Sequence, residues 1–268
     1  MAAGSNSMTL LGRINYLWRL VGTAFSFLLF GLAGLVLGLL VFPFLSLIYR
    51  NKSRRQVVAR RIVGEAFGLF IRVMKWTGVL NYRIHGVENI RQSGGHLVVA
   101  NHPTLIDVVF LVWLFPQADC VVKEAVVRNP FMHFVASAAN YISNRDTAAL
   151  LDRCVDSLGS GSDLILFPEG TRTIPGQALS LKMAAAVIAV RSQAMLIPVL
   201  IDCQPPTLAK NEPWYRIPPS RPMFTLSIQA PISVHELAPN VENPRMQARE
   251  LNTALKNRLQ RALNHKIP

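Results

Sequence analysis

Apolar positions fall along this chain in three regimes. From 21 to 49 there is no charged residue. A helix rises about 1.5 Å per residue, so a run of this length predicts a tilted membrane helix or a re-entrant hairpin. Gly31, Gly34, Gly38 and Pro43 keep the hairpin open, since they permit a kink. From 56 to 80 the pattern is mixed: Val63, Phe67, Phe70, Ile71 and Met74 recur near helical spacing, with Arg60, Arg61, Arg72 and Lys75 between them. Two readings fit equally, an amphipathic basic helix on an anionic surface or a helix packing on its own domain.

Beyond 80 short apolar runs alternate with helical patterns. Strands are predicted at 82–84, 97–100, 120–122, 164–167, 195–201 and 224–230, and helices at 105–115, 131–138, 148–158, 181–191 and 243–263. The run at 164–167 is wholly apolar, the form of a strand covered on both faces. This alternation predicts an α/β fold, a mostly parallel covered sheet with flanking helices, preceded by the N-terminal hydrophobic helix or hairpin. The chain divides into a membrane-anchoring segment, 1–80 (hydrophobic 21–49, amphipathic basic 56–80), and an α/β domain, 81–268, with a Pro-rich surface loop at 205–222.

Composition strengthens the first regime. The 268 residues are 51% hydrophobic, high for a soluble domain. Tyr16, Trp18 and Arg19 form an aromatic-basic patch before the apolar run. Arg13 and Arg19 precede the run, while Arg50, Lys52, Arg54, Arg55, Arg60 and Arg61 follow it, which places the following domain on the cytoplasmic face of the membrane.

Lys plus Arg total 28 against 15 Asp plus Glu, a net charge of +13 that calls for an acidic partner. Anionic membrane phospholipid or an acidic carrier protein fits. Nucleic acid is disfavoured, because the chain has no recognisable module and an apolar N-terminus. Cys120, Cys154 and Cys203 are widely spaced and odd in number, so they read as reduced structural thiols; no metal site is readable.

The candidate chemistry begins at Asn101-His102-Pro103-Thr104-Leu105-Ile106-Asp107, directly after the strand at 97–100. On one helix, five residues would turn about 500° and leave the two side chains roughly 140° apart. His102 therefore lies before the helix, with Pro103 at its first position and Asp107 able to point back at the ring. A carboxylate on one ring nitrogen fixes the tautomer and frees the other to take a proton from a hydroxyl. A capping or core histidine beside a helix-start aspartate fits the same spacing.

The second constellation is Pro168-Glu169-Gly170-Thr171-Arg172, after the strand at 164–167, where α/β folds bind ligands. Gly170 allows close backbone approach, and Arg172 offers a planar fork for phosphate or carboxylate. A structural salt bridge is the alternative for Glu169 and Arg172. The histidines His85, His96, His133, His235 and His265 have no partner at motif spacing and read as structural or solvent-facing.

Together, His-x4-Asp at one strand end and Phe-Pro-Glu-Gly-Thr-Arg after another resemble the glycerolipid acyltransferases, the family of 1-acylglycerol-3-phosphate acyltransferases. Lys123-Glu124 with Pro130, then Tyr141-Ile142-Ser143-Asn144-Arg145-Asp146, are similar to the family's second block, and Ile197-Pro198-Val199 to its fourth. The resemblance covers about 80–205. It implies an acyltransferase domain in which His102 and Asp107 are the catalytic base and its orienting acid, and Glu169, Gly170, Thr171, Arg172, Arg145 and Lys123 bind substrate. The implied reaction moves a fatty acyl group from acyl-CoA or acyl carrier protein to a lysophospholipid, with the thioester as co-substrate and no cofactor. Phe131 to Ala139 lacks the second block's usual glycines, and Lys182-Met183-Ala184 replaces a lysine-glycine segment. These departures keep another acceptor open, such as a lyso-ornithine lipid, another lysolipid or a polyene lipid. A membrane scaffold without activity is the reading from another class.

Overall fold

The computed structural model describes residues 9–92, 94–174, 176–239, 241 and 243–264. The first eight residues of the predicted anchor, and His265, lie outside the described residues.

The chain opens with α1 (Leu10–Val36), a π-helical segment (Leu37–Val41) and α2 (Phe42–Ile48). Thr9 starts α1 by accepting Gly12 N–H at 3.2 Å. The 39 residues Leu10–Ile48 form one helical stretch long and apolar enough to cross a membrane. The helix starts before the charge-free run at 21 and continues through it, and the glycines are contact points. Cβ atoms on Gly34 and Gly38 would overlap Phe131 and Phe134.

The next helix, α3 (Lys52–Trp76), is capped by Asn51, which accepts Arg54 N–H at 3.1 Å. Val63, Phe67, Phe70, Ile71 and Met74 are buried in the same core as one face of the sheet, so packing crosses residue 80. Arg60 is buried too, paired with Asp119 and donating to Ala139 O at 2.9 Å and Gln117 O at 3.0 Å.

The strands are β1 (Asn81–His85), β2 (Leu97–Ala100), β3 (Asp119–Val122), β4 (Ile142–Ser143), β5 (Leu164–Leu166), β6 (Leu196–Gln204) and β7 (Met223–Ile228). The intervening helices are α4 (Asp107–Leu114), α5 (Glu124–Arg128), α6 (Pro130–Ala138), α7 (Thr147–Gly159) and α8 (Ala184–Ser192), followed by α9 (Val234–Leu237) and α10 (Pro244–Asn264). Among the described residues the strands join in the order β1-β7-β6-β2-β5-β3-β4. All neighbours are parallel except β6 and β7.

Period-two alternation fills both faces. Val98, Ala100, Ile165, Ile197 and Val199 join α3 and α4 on one side, while Leu97, Val99, Leu164, Leu196 and Leu200 meet α7, α8 and α10 on the other. The sheet is therefore covered on both faces, as its apolar runs require. Strands β2, β5, β3 and β4 run parallel side by side, so their carboxyl ends open on one edge.

Candidate active site

The site starts where β2 runs out. Asn101 is buried and bonds to both backbone groups of Ile201, donating to its carbonyl at 2.8 Å and accepting its N–H at 2.7 Å. This clamp on β6 fixes where the chain leaves the sheet. His102 follows at once, and the chain curls through residues 103–106 before α4 begins at Asp107. The helix expected from 105, with Pro103 at its first position, thus starts two residues later.

Asp107 is fully buried, and every acceptor contact it makes serves the ring or the curl. Its Oδ2 lies 2.8 Å from His102 Nδ1 and accepts Thr104 N–H at 2.7 Å, and its Oδ1 accepts the Thr104 hydroxyl at 2.5 Å. Burial pushes the Asp107 carboxyl upward, opposed by hydrogen bonds from His102 and Thr104. The imidazole stacks on Phe167, with centroids 4.1 Å apart, which leaves Nε2 as its uncommitted nitrogen among the described residues.

The second loop is sewn to the first through the His102 backbone. His102 N–H donates to Glu169 Oε1 at 2.8 Å, and His102 C=O accepts Thr173 N–H at 2.9 Å. Arg172 sits between these two ties. The turn itself is tight: Gly170 has φ +68° and its N–H reaches Phe167 O at 3.0 Å, a geometry that favours glycine. A Cβ there would meet the Lys182 side chain, so that cation lies over the turn. Thr171 is half-buried beside Arg172.

Glu169 is 5% exposed, and its Oε2 has no hydrogen-bond partner among the described residues. Burial pushes its carboxyl up to about 7, against the pull of the His102 N–H. Arg172 Nη1 donates to Leu208 O and Ala209 O, each at 3.0 Å, while Nε and Nη2 have no hydrogen-bond partner among the described residues.

Lys123 and Arg145 lie farther out. They follow β3 and β4, two and three strands from β2. At about 4.8 Å per strand, Arg145 stands about 14 Å along the edge. Its side chain is 79% exposed and lies 3.7 Å from Glu124, and Lys123 is exposed at the head of α5. The structure thus joins His102, Asp107, Glu169 and Arg172 into one network and leaves the two outer cations on its flank. Among the described residues no cluster of three or more His, Cys, Asp or Glu could hold a metal ion.

Three contributors escaped the sequence reading. Thr104 was detectable, since Thr-x-x-Asp is a helix-start signature. Asn101 and Lys182 gave no local signal, because their partners lie elsewhere in the chain.

Residues 81–202 match the family model described as Acyltransferase. The chain is 34% identical over 144 residues to a putative 1-acyl-sn-glycerol-3-phosphate acyltransferase, acl-2, of Caenorhabditis elegans, covering 51% of this chain and 50% of that protein. A 1-acyl-sn-glycerol-3-phosphate acyltransferase of Helicobacter pylori is 29% identical over 116 residues, 41% of this chain and 49% of that one. The chain spans about half the length of these curated relatives. The crystal structure of the 1-acyl-sn-glycerophosphate acyltransferase PlsC from Thermotoga maritima shares the fold, with a TM-score of 0.72 over 95% of this chain and 97% of that one at 22% identity. The resemblance drawn from the two motifs agrees with the family-model match over residues 81–202, and the fold is the one seen in that structure.

Proposed function

From the match of residues 81–202 to the acyltransferase family, we propose that this chain is a membrane-associated O-acyltransferase. It moves a fatty acyl group from a thioester, acyl-CoA or acyl carrier protein, to the free hydroxyl of a lysophosphatidate-like acceptor. One observation carries the reading: an imidazole held by a fully buried carboxylate is joined, through its own backbone, to the turn that bears Arg172.

Asp107 accepts the Nδ1–H of His102, which puts the lone pair on Nε2. Nε2 takes the acceptor's hydroxyl proton as that oxygen attacks the thioester carbonyl carbon. The C–O bond forms, the tetrahedral oxyanion collapses, and the C–S bond breaks. The imidazolium returns its proton to the departing thiolate, giving ester and free thiol with no covalent enzyme intermediate.

Arg172, with Nε and Nη2 uncommitted, holds the acceptor phosphate, and Gly170 and Thr171 let it approach. A phosphate fixed beside the dyad selects the hydroxyl that reaches Nε2, which is catalysis by positioning. Lys123 and Arg145 extend the positive edge toward the carrier or the headgroup.

The apolar helix supports the membrane setting. Leu17, Val21, Phe25, Leu28, Leu32, Leu39 and Phe44 are at least half exposed along it. The basic residues that follow support a cytoplasmic setting for the domain.

The test uses purified protein in phospholipid vesicles, with labelled acyl-CoA and acyl carrier protein set against lysophosphatidate and a panel of other lysolipids. A phosphatidate product is expected from lysophosphatidate. Thioester consumed without ester formed would sink the proposal. Because Phe131 and Met183 stand 43% and 38% exposed where the family blocks depart, the panel also decides the acceptor.

A further inference from the structure

Arg19 is an odd residue for its place. It belongs to the apolar helix α1 yet is 2% exposed, while Leu17, Trp18 and Val21 around it are 59% to 63% exposed. Its guanidinium has no carboxylate partner among the described residues. Nε donates to Asn15 Oδ1 at 2.9 Å, Nη1 to Pro218 O at 2.9 Å and Ser220 O at 3.0 Å, and Nη2 to Pro219 O at 2.7 Å. A buried cation without an anion is costly, and an apolar side chain would fill the space more cheaply. What an apolar side chain cannot do is hold three consecutive carbonyls of one loop.

That loop, 205–222, is held by the second guanidinium of this kind at its other end. Arg172 Nη1 grips Leu208 O and Ala209 O, and Leu208 O also accepts the N–H of Leu105, two residues before Asp107. Between the two grips Trp214 packs on Phe27 of α1 with ring centroids 6.2 Å apart. A small cavity lies beneath, bounded by Thr23, Ile106, Thr207, Leu208 and Ile217. Although Leu208 and Ile217 are buried, the stretch between them is irregular backbone whose shape depends on what ties its ends. Here one end is tied to a lipid-type helix by Arg19 and to the end of α3 by Arg221, which donates to Leu80 O and Lys75 O, and the other end is tied to the acceptor turn.

We propose that Arg19 is a positioning residue for Arg172, acting through the 205–222 strap, so that the seating of α1 sets the grip on a phosphorylated acceptor. This rests on the acyltransferase reading above. Lysine is no substitute, because a single ammonium cannot span three carbonyls as the planar fork does.

The test is a double-mutant cycle on the full chain in vesicles, with Arg19→Met, which keeps the stem, and Arg172→Ala. Arg19→Met is expected to raise the KM for lysophosphatidate about fivefold or more, with a smaller change in kcat. In the Arg172→Ala background it should add nothing further to KM. Additive effects, or an equal rise in the KM of the thioester, would overturn the proposal and leave Arg19 a stabilising residue.

Limited trypsin digestion supplies a readout that needs no activity. The strap carries cleavable bonds after Lys210 and Arg216, and both should be cut faster in Arg19→Met and in Arg172→Ala. Unchanged cleavage in either variant overturns the strap even if the wild type acylates nothing, and a wild type without transfer counts against the enzyme reading alone. Should Arg19→Met fail to fold, Trp214→Ala removes a part-exposed ring that meets Phe27 and Tyr215 and is expected to shift KM and cleavage in the same direction, less strongly.

Discussion

The strand β2 has a histidine paired with an aspartate at each of its ends, and the two pairs teach what makes such a pair chemical. His96 enters the strand with Nδ1 3.1 Å from Asp163 Oδ1, and His102 leaves it with Nδ1 2.8 Å from Asp107 Oδ2. The side chains of the first pair are 11% and 9% exposed, those of the second 19% and 0%.

Their carboxylates have different work. Asp163 Oδ1 also accepts the N–H of His96 at 2.9 Å and of Gly94 at 3.3 Å, so it braces a turn. Gly94 N–H further addresses His96 Nδ1 at 3.1 Å, where a lone pair is needed, while Asp163 asks for a proton on the same nitrogen. One ring nitrogen satisfies one of them at a time. At the other end Asp107 holds the ring and Thr104 alone, and the ring faces the loop that carries Arg172. Proximity of imidazole and carboxylate is common to both. The tautomer lock and the open carboxyl edge of the sheet belong to one.

Substitution at the two rings tests this most sharply. His102→Ala should lower kcat by about 10²–10⁴-fold, the worth of a general base, while circular dichroism and vesicle flotation stay as in the wild type. His96→Ala should keep kcat within about threefold and lower Tm by a few degrees. Near-normal turnover in His102→Ala, or a collapse of turnover in a folded His96→Ala, would reverse the assignment.

The two acids give the next contrast. Asp107→Asn presents an N–H to Nδ1 and forces the wrong tautomer, so kcat should fall about 10²-fold or more. Asp163→Asn is expected to show up as a shifted denaturant midpoint with turnover retained.

Arg172→Ala should raise the KM for the phosphorylated acceptor about tenfold, with the thioester KM unmoved, because a hydrogen bond to a charged group is worth roughly 1.5–3 kcal/mol. If only the thioester KM moved, Arg172 would belong to the donor.

The remaining effect is on stability alone. Glu169 is raised from its ordinary 4.5 to about 7, so between those values the folded state binds the extra proton. Its contribution is therefore present below about pH 4.5 and lost as pH rises through about 7, a change of about 3 kcal/mol at about 1.4 kcal/mol per unit. The unfolding free energy of the wild type minus that of Glu169→Gln should fall by that amount across the window. A flat difference would mean that Glu169 titrates normally.

Much of this was legible in the chain because it is local. The apolar run 97–100 is β2 itself, and 164–167 contains β5, since strands covered on both faces announce themselves. The pairing of His102 with Asp107 followed from an imidazole and a carboxylate that cannot face each other on one helix. Boundaries failed where a polar group found a partner out of sequence. The helix that carries the charge-free run begins at Leu10 and includes Arg19, which is satisfied by carbonyls 199 to 201 residues away. The helix expected from 181 starts at Ala184, since Lys182 N–H is taken by Pro168 O. His96, read as partnerless, meets Asp163 across 67 residues, a pairing that no spacing rule could reach. Glu169, expected on substrate, spends its Oε1 on the backbone of His102.

The π segment Leu37–Val41 gives the long helix a spare residue. Losing one residue there would let the coil close into ordinary α turns, keeping Leu45 inward and Phe44 outward. The same loss from a regular turn of α1 would swing every later side chain by about 100° about the axis and turn Leu45 to where Phe44 now faces outward. Length variation in this arm is thus tolerable at one link, the one beside Phe134.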